Sequence, residues 1–304
     1  MPKKKETALS SPKLYRCVFV SDLHMGSPKF STFHFLSFLQ SFECEHLYLG
    51  GDIIDGWKLK KDWYWPKEYN LLLAEILRKH EQGTKITYIT GNHDARLRRL
   101  SLRRVEKFHK AYGIRIKTID YHETLKKERF LILHGDQFDW AILRGPVSEW
   151  SDRFYHFLSE RFLYRLSPRI AVKGKKKRFS LAKALRKSGT RALYLLNNFE
   201  RAALRRITSD GVDGLICGHT HIPTIKNLKD KIYANSGSWV AQTSTALVEN
   251  TDGTLEILSI NTPSTPSTQS TNFENERDFE PPELYAYLPH AEKLFKHIQR
   301  IWKH

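Results

Sequence analysis

Short runs of β-branched and aromatic residues recur along the chain, and several stop abruptly at small and polar residues. Leu14 to Val20 is apolar on both faces at Cys17-Val18-Phe19-Val20, the pattern of a strand covered on both sides. His46-Leu47-Tyr48-Leu49, Ile86-Thr87-Tyr88-Ile89, Ile114 to Ile116, Phe130 to Leu133 and Leu215-Ile216-Cys217 predict further strands. Ile232 to Asn235, Ala246 to Glu249 and Leu255 to Ile260 read as strands of a second sheet. Between them the period lengthens. Phe30 to Phe42 predicts an amphipathic helix, and Glu68 to His80 another, with Leu72, Leu73, Ile76 and Leu77 on one face. Arg96 to Tyr112 predicts one basic helix. Ala182 to Ile207 predicts one or two, with Leu193, Leu196, Phe199, Ala203 and Ile207 inward. Trp57 to Trp65 is aromatic and lysine-rich and reads as a half-buried surface loop.

The strand pattern lapses between Trp140 and Ser180. Trp140, Ile142, Leu143, Trp150, Phe154, Phe157, Leu158, Phe162, Leu163 and Leu166 recur at mostly helical spacing, ahead of Lys173-Gly174-Lys175-Lys176-Lys177-Arg178. An apolar stripe of this kind packs on a core. It equally suits a helical cap over about 140–190, whose apolar face meets acyl chains while the basic cluster meets phosphate. Composition shifts again at Asn261. The Ser/Thr/Pro-rich and then acidic stretch 261–282 reads as a disordered linker. In the last segment, 283–304, Leu294, Phe295, Ile298, Ile301 and Trp302 share a face, with Lys293, Lys296, Arg300 and Lys303 elsewhere. Such a helix suits a membrane surface and suits docking on the body of the protein equally. Residues 1–13 read as a flexible basic arm, leaving 14–260 as the main domain.

Charge changes the picture more than composition does. The chain of 304 residues carries formal net charge +17, which favours anionic partners: nucleic acid, phosphorylated substrate or an acidic bilayer. Cys17, Cys44 and Cys217 show no metal-finger spacing and read as reduced thiols of a cytoplasmic protein. The basic start is followed by no apolar core of a secretory signal, and no uninterrupted apolar segment is long enough to span a bilayer. A soluble or peripheral protein is expected.

The candidate chemistry lies where strands end. Ser21-Asp22-Leu23-His24, Gly51-Asp52-Ile53-Ile54-Asp55, Gly91-Asn92-His93-Asp94, His134-Gly135-Asp136 and Gly218-His219-Thr220-His221 each follow an apolar run, and each delivers Asp, Asn or His. Any one alone is a turn or a helix cap. Five together suggest a binuclear metal centre, with mixed carboxylate and imidazole donors suited to Mn, Fe or Zn. Residues two apart in extended chain point the same way, so Asp22 and His24, and likewise His219 and His221, are expected to share a target. Asp52 is the candidate bridge between two cations. Asp55 reads as a turn residue or a support behind the ligands. Arg96 and the arginines after it suggest phosphate contacts, or simply a solvated helix face.

These signatures, in this order, resemble the calcineurin-like metallophosphoesterase superfamily: Asp-x-His, Gly-Asp, Gly-Asn-His-Asp, a later His, then Gly-His-x-His. The resemblance covers roughly residues 14–260. It implies an α/β fold of two packed mixed β-sheets flanked by helices, a four-layer metallophosphoesterase sandwich carrying the helical cap insertion. It implies one metal held by Asp22, His24, Asp52 and His221 and another by Asp52, Asn92, His134 and His219. His93 takes the family's general-acid position, and Asp94 the position that orients it. Two divalent ions, Mn foremost with Fe or Zn as alternatives, would activate water about 3.5–4 Å apart and stabilise charge on phosphoryl oxygens.

The helical insertion after His134-Gly135-Asp136 is similar to that of the UDP-2,3-diacylglucosamine diphosphatase subgroup, which cuts a lipid A precursor to UMP and an acyl sugar phosphate at the cytoplasmic face of the membrane. That subgroup carries Arg directly after the metal-binding Asn; this chain carries His93. The implied substrate is a nucleotide-linked or lipid-linked phosphate, with Arg96, Lys175, Lys176, Lys177 and Arg178 as candidate contacts and an anionic membrane surface as a candidate partner. Action on nucleic acid, a nucleotide or a phosphoprotein is the enzymatic alternative. A noncatalytic membrane-binding protein is the other.

Overall fold

The computed structural model describes residues 12–139, 195–240, 243–261 and 282–303. Most of the expected basic arm, the whole of the expected cap over about 140–190, including Lys175, Lys176, Lys177 and Arg178, and the interior of the expected linker lie outside the described residues.

Two mixed sheets face each other. The first has the order β11-β10-β1-β2-β3-β4. Lys13–Val20 (β1), Phe42–Gly50 (β2), Lys85–Ile89 (β3) and Ile114–Lys117 (β4) run parallel. The sheet is completed antiparallel by Thr243–Glu249 (β10) and Leu255–Asn261 (β11). The second sheet has the order β5-β6-β7-β9-β8. Its parallel centre is Arg129–Leu133 (β6), Gly214–Cys217 (β7) and Lys231–Asn235 (β9), edged by Ile119–Glu123 (β5) and Thr224–Leu228 (β8).

Strand alternation builds the layers. Cys17, Phe19, Tyr48 and Ile89 point inward and meet Phe130, Ile132, Ile216 and Ala234 of the second sheet. Their neighbours Val18, Val20, Leu47, Leu49 and Ile86 point outward, under the helices Thr32–Gln40 (α1), Tyr69–Glu81 (α3) and Leu102–Tyr112 (α5). On the far side, Leu131, Leu133, Leu215 and Tyr233 are covered by Phe199, Ala203 and Ile207 of the helix 195–210 (α6). The core is therefore apolar on both faces of both sheets, which is why the central strands lack a polar alternate.

Several expectations change here. β10 and β11 were expected in the second sheet but extend the first, because Cys17, Val18 and Phe19 pair with Glu249, Val248 and Leu247. Trp57 to Trp65, read as loop, begins with a short helix, Gly56–Lys61 (α2), capped by Asp55, which accepts from the Lys58 amide. The single helix expected over Arg96 to Tyr112 is two, Ala95–Arg98 (α4) and α5, because Ser101 turns to extended backbone between them. Leu288–Lys303 (α7) packs on α3, α2 and α4. Its Ala291, Leu294, Ile298 and Trp302 are buried, so the apolar face that a bilayer would need is taken up by the protein itself. Beneath it a cavity of about 50 Å³ exposes only apolar atoms. Among the described residues no helix is long and apolar enough to cross a membrane. The three cysteines are unpaired.

Candidate metal centre

The parallel strands β1, β2 and β3 of one sheet, and β6 and β7 of the other, open their C-terminal ends toward one crevice. That is where parallel sheets present ligands. Asp22 and His24 follow β1, Asp52 follows β2, Asn92 follows β3, His134 follows β6, and His219 and His221 follow β7. Three overlapping groups of ligand atoms form there among the described residues, Asp22 with His24 and His221, His24 with Asp52 and His93, and Asp52 with His134 and His219, each with its atoms within 4.8 Å of one another.

The convergence does not come from extended chain. Asp22, His24, Asp52, His219 and His221 all have positive φ, between 50° and 67°. Each left-handed residue costs about 1–2 kcal/mol. The strain is sustained by neighbouring backbone: Asp22 and His24 donate their amides to Gly51 and Asp52 carbonyls at 3.0 and 2.9 Å, and Met25 donates to Ile53. Strain of this kind, gathered on the residues of one crevice, marks a functional site.

Distances define the pocket. Asp52 Oδ2 lies 3.2 Å from His134 Nε2 and 4.0 Å from His24 Nε2, so one carboxylate faces both imidazoles. Asp22 Oδ1 lies 3.0 Å from His221 Nε2. His134 Nδ1 donates to the Gly50 carbonyl at 2.9 Å, which leaves Nε2 as its free donor atom. The Gly218-His219-Thr220-His221 turn is held by Asn235, whose amide donates to the Gly218 carbonyl and to Thr220 Oγ1. His219 Nε2 meets Asp139 Oδ1 at 2.8 Å.

Close approach needs glycine at one position above all. A Cβ on Gly91 would lie 2.1 Å from Asp52 Oδ1 and 2.6 Å from the Asp52 amide. The bare backbone lets the Asn92 loop close on Asp52, which accepts the His93 amide at 2.8 Å.

The donor set fits divalent cations on its own showing. Asp22 Oδ1, His24 Nε2, Asn92 Oδ1 and His134 Nε2 are buried without a hydrogen-bond partner. Buried polar atoms are rarely left so, and carboxylate, amide and imidazole donors of this kind at neighbouring strand ends suit divalent cations. Electrostatics agree. Burial would raise the Asp22 carboxyl, but the imidazoles of His221 and His134 outweigh it and bring it down to about 2. Asp52 is likewise held well below its usual range, against its burial, by His134, His93 and His24. Burial pushes the His24 imidazole down, toward the neutral ligand form.

His93 lies at the rim of the pocket, grouped with His24 and Asp52. Its ring packs edge-on to His24 at 4.6 Å and against Trp57 at 3.9 Å, and Nε2 lies 3.9 Å from Asp52 Oδ2. Burial opposes its charge, but Asp55 and Asp52 prevail and raise its pKa. The carboxylate that meets His93 is Asp55, with Oδ1 3.0 Å from Nδ1, where the sequence pointed to Asp94. Asp94 is buried and accepts instead from the amides of Ile53, Ile54 and Gly91. Burial and the nearby Asp52 raise its carboxyl to about 7.

Arg96, expected to reach phosphate, donates to the Ile301 and Trp302 carbonyls at 3.0 and 2.9 Å. Arg98 is the arginine that joins the loops of the site. It binds Asp136 at 2.7 and 2.8 Å and Thr90 Oγ1 at 3.0 Å. Arg98 belongs to the arginine run read as phosphate contacts or a solvated face, and here it binds Asp136 instead. Asp139 carries no signal in the sequence beyond its nearness to His134-Gly135-Asp136. A separate group, Cys17, His46 and His122, lies mid-strand between the sheets. Its His122 is engaged by Glu249 at 2.6 Å, which also pairs with Arg16 at 2.7 Å.

Comparison with known proteins accords with this geometry. UDP-2,3-diacylglucosamine hydrolase of Aliivibrio fischeri is 28% identical over 247 residues, covering 75% of this chain and 92% of that protein. The proteins of the same name from Edwardsiella ictaluri and Sodalis glossinidius are each 26% identical, covering 68% and 78% of this chain and 76% and 95% of theirs. Among solved structures, an archaeal phosphodiesterase is 14% identical with a TM-score of 0.39, covering 80% of this chain and 98% of its own. At that level the likeness adds nothing to the assignment. The calcineurin-like phosphoesterase family model matches residues 15–223, so the chain belongs to that family and is a metal-dependent hydrolase.

Proposed function

We propose that the protein hydrolyses the pyrophosphate of a UDP-linked acylated sugar, UDP-2,3-diacylglucosamine, to UMP and an acyl sugar 1-phosphate. The observation that carries the reading is Asp52, whose Oδ2 faces His134 at 3.2 Å and His24 at 4.0 Å, a carboxylate placed to serve two cations. Asp22, His24, Asp52 and His221 would hold one cation, and Asp52, Asn92, His134 and His219 the other. Mn is the first choice, with Fe or Zn accommodated by the same donors. When bound, the pair supplies Lewis acidity at phosphoryl oxygens and lowers the pKa of water.

The chain's own groups do the rest. His93, turned by Asp55 and packed on Trp57, holds a proton at Nε2 for the leaving oxygen or binds a nonbridging one. Water adds to phosphorus as the bond to the leaving oxygen breaks; that oxygen takes the proton from His93, and the proton the water gives up restores the imidazole. Lys175, Lys176, Lys177 and Arg178 bind substrate phosphate, and the aromatic stripe before them meets the acyl chains. The names of the three relatives and the net charge of +17 support a substrate of this class, handled at the anionic cytoplasmic face of a membrane.

The test is direct. Mn-loaded protein is given UDP-2,3-diacylglucosamine, oligonucleotides and phosphopeptides side by side, and release of UMP is followed by chromatography. UMP is expected from the first alone. Cleavage of oligonucleotide or phosphopeptide with no UMP would favour the second reading, a nuclease or phosphoprotein phosphatase. That reading draws on the basic charge and on His93 in place of the subgroup's arginine.

A further inference from the structure

Trp302, on the last turn of α7, is 3% exposed. Its indole fills the space over Gly56: a Cβ at that glycine would lie 2.0 Å from Trp302 Nε1 and 2.7 Å from the His93 carbonyl. One small gap is therefore bordered by the residue after Asp55, by the backbone of His93 and by the C-terminal helix. Trp302 Nε1 is buried there without a hydrogen-bond partner. A second attachment lies three residues beyond His93, where Arg96 donates to the Ile301 and Trp302 carbonyls. These are carbonyls that a helix leaves unsatisfied at its C-terminus.

Covering the apolar face of the sheet accounts for Leu294, Ile298 and the burial of Trp302 itself, all of which lie in the main core cluster. It does not account for a glycine emptied to seat an indole against the His93 loop, or for an arginine spent on the end of the helix. Both contacts fall on the two segments that orient His93, Asp55-Gly56 and the turn from His93 to Arg96.

We propose that Trp302 is a positioning residue for His93, through which the C-terminal helix sets the imidazole against Asp55 and the metal pocket. The inference rests on the role given to His93 above. Catalytic geometry is steep in distance, and a displacement of about 1 Å lowers rate on the order of 100-fold. The chemistry that His93 supplies would then depend on α7 being seated, although no residue of α7 has to touch substrate.

A double-mutant cycle in the full-length, Mn-loaded protein tests this, with Trp302→Ala and Arg96→Ala each made alone and with His93→Ala. Arg96→Ala keeps the apolar packing of α7 and serves if Trp302→Ala fails to fold. Each single change is expected to lower kcat about 10–100-fold, with KM and metal content retained. In the His93→Ala background neither change should cost more than about twofold, since the group being positioned is gone. Trp302→Phe, which keeps the wedge and removes the N–H, should recover most of the rate.

Losses that multiply undiminished with that of His93→Ala overturn the proposal, as do losses confined to KM or metal content. If His93→Ala proves silent, the catalytic role given to His93 falls. The positioning claim is then read from the His93 ring resonances of the Zn-loaded protein, and an unchanged signal in Trp302→Ala overturns it.

Discussion

Asp55 reaches two imidazoles at once, with Oδ1 3.0 Å from His93 Nδ1 and Oδ2 3.5 Å from His24 Nδ1. The carboxylate also caps α2, so the helix start, one expected ligand and the expected acid share one anchor. Asp94, adjacent to His93 in sequence, has a different task. Its oxygens hold the amides of Ile53, Ile54 and Gly91 and thereby join the β2 and β3 loops.

The two carboxylates should therefore separate by experiment. Asp55→Asn is expected to lower kcat about 10²–10³-fold on substrates whose leaving oxygen needs a proton, and less with nitrophenolate. Asp94→Asn should act mainly on metal affinity, by about 10–100-fold, because an amide NH2 in place of a carboxylate oxygen opposes the loop donors. Elemental analysis alongside steady-state kinetics distinguishes them. Equal effects of the two on kcat at full metal content would contradict the division of labour.

Asp52→Ala removes the carboxylate that faces both His24 and His134. Both cations are expected to be lost together, with turnover falling to background. Elemental analysis that still finds one tightly held ion per chain would show that Asp52 serves one side only.

Gly91→Ala should behave unlike Gly83→Ala. At Gly83 an added Cβ meets nothing within 4 Å, and the cost comes from φ +103° alone, about 1 kcal/mol. At Gly91 the Cβ strikes Asp52, both carboxylate and amide, so metal content should fall together with the melting temperature. Retained metal in Gly91→Ala would mean the loop relaxes without moving Asp52.

His46 gives the fold a pH dependence away from the crevice. It stacks on Tyr48 at 4.0 Å, and its Nε2 meets Thr87 Oγ1 at 2.9 Å. Burial first, then His122, Arg115 and Lys85, push its pKa down to about 4 against the pull of Asp120. The unfolded chain, titrating near 6.5, takes up the proton earlier than the folded one. This stability is complete above about pH 6.5 and is lost as pH falls toward about 4, by up to about 3 kcal/mol. Urea titrations at pH 7 and pH 4.5 should show a steeper loss in wild type than in His46→Asn, whatever the variant's own offset. Parallel losses would place the pH dependence elsewhere.

The candidate metal centre was legible in the residues, because hard-donor side chains at strand ends are few and their order along the chain is distinctive. Asp22, His24, Asp52, Asn92, His134, His219 and His221 could be picked out from Ser21-Asp22-Leu23-His24 and its counterparts before any geometry was known. The central strands were legible too, since burial on both faces leaves runs such as Cys17-Val18-Phe19-Val20 with no polar alternate.

Tertiary structure decided everything that depends on what lies across a gap. Pairing β10 with β1, and not with the second sheet, is a matter of strand partners, which local pattern does not encode. Asp22, His24, Asp52, His219 and His221 converge through left-handed backbone and not by extended alternation, with Asp22 and His24 held by backbone bonds to the β2 loop. The partner of His93 is Asp55, distant in sequence, because a carboxylate acts on the imidazole it can touch. Arg96 and Trp302 belong to one contact for the same reason: an amphipathic helix buries its apolar face on the nearest apolar surface, and only the folded chain determines which surface that is.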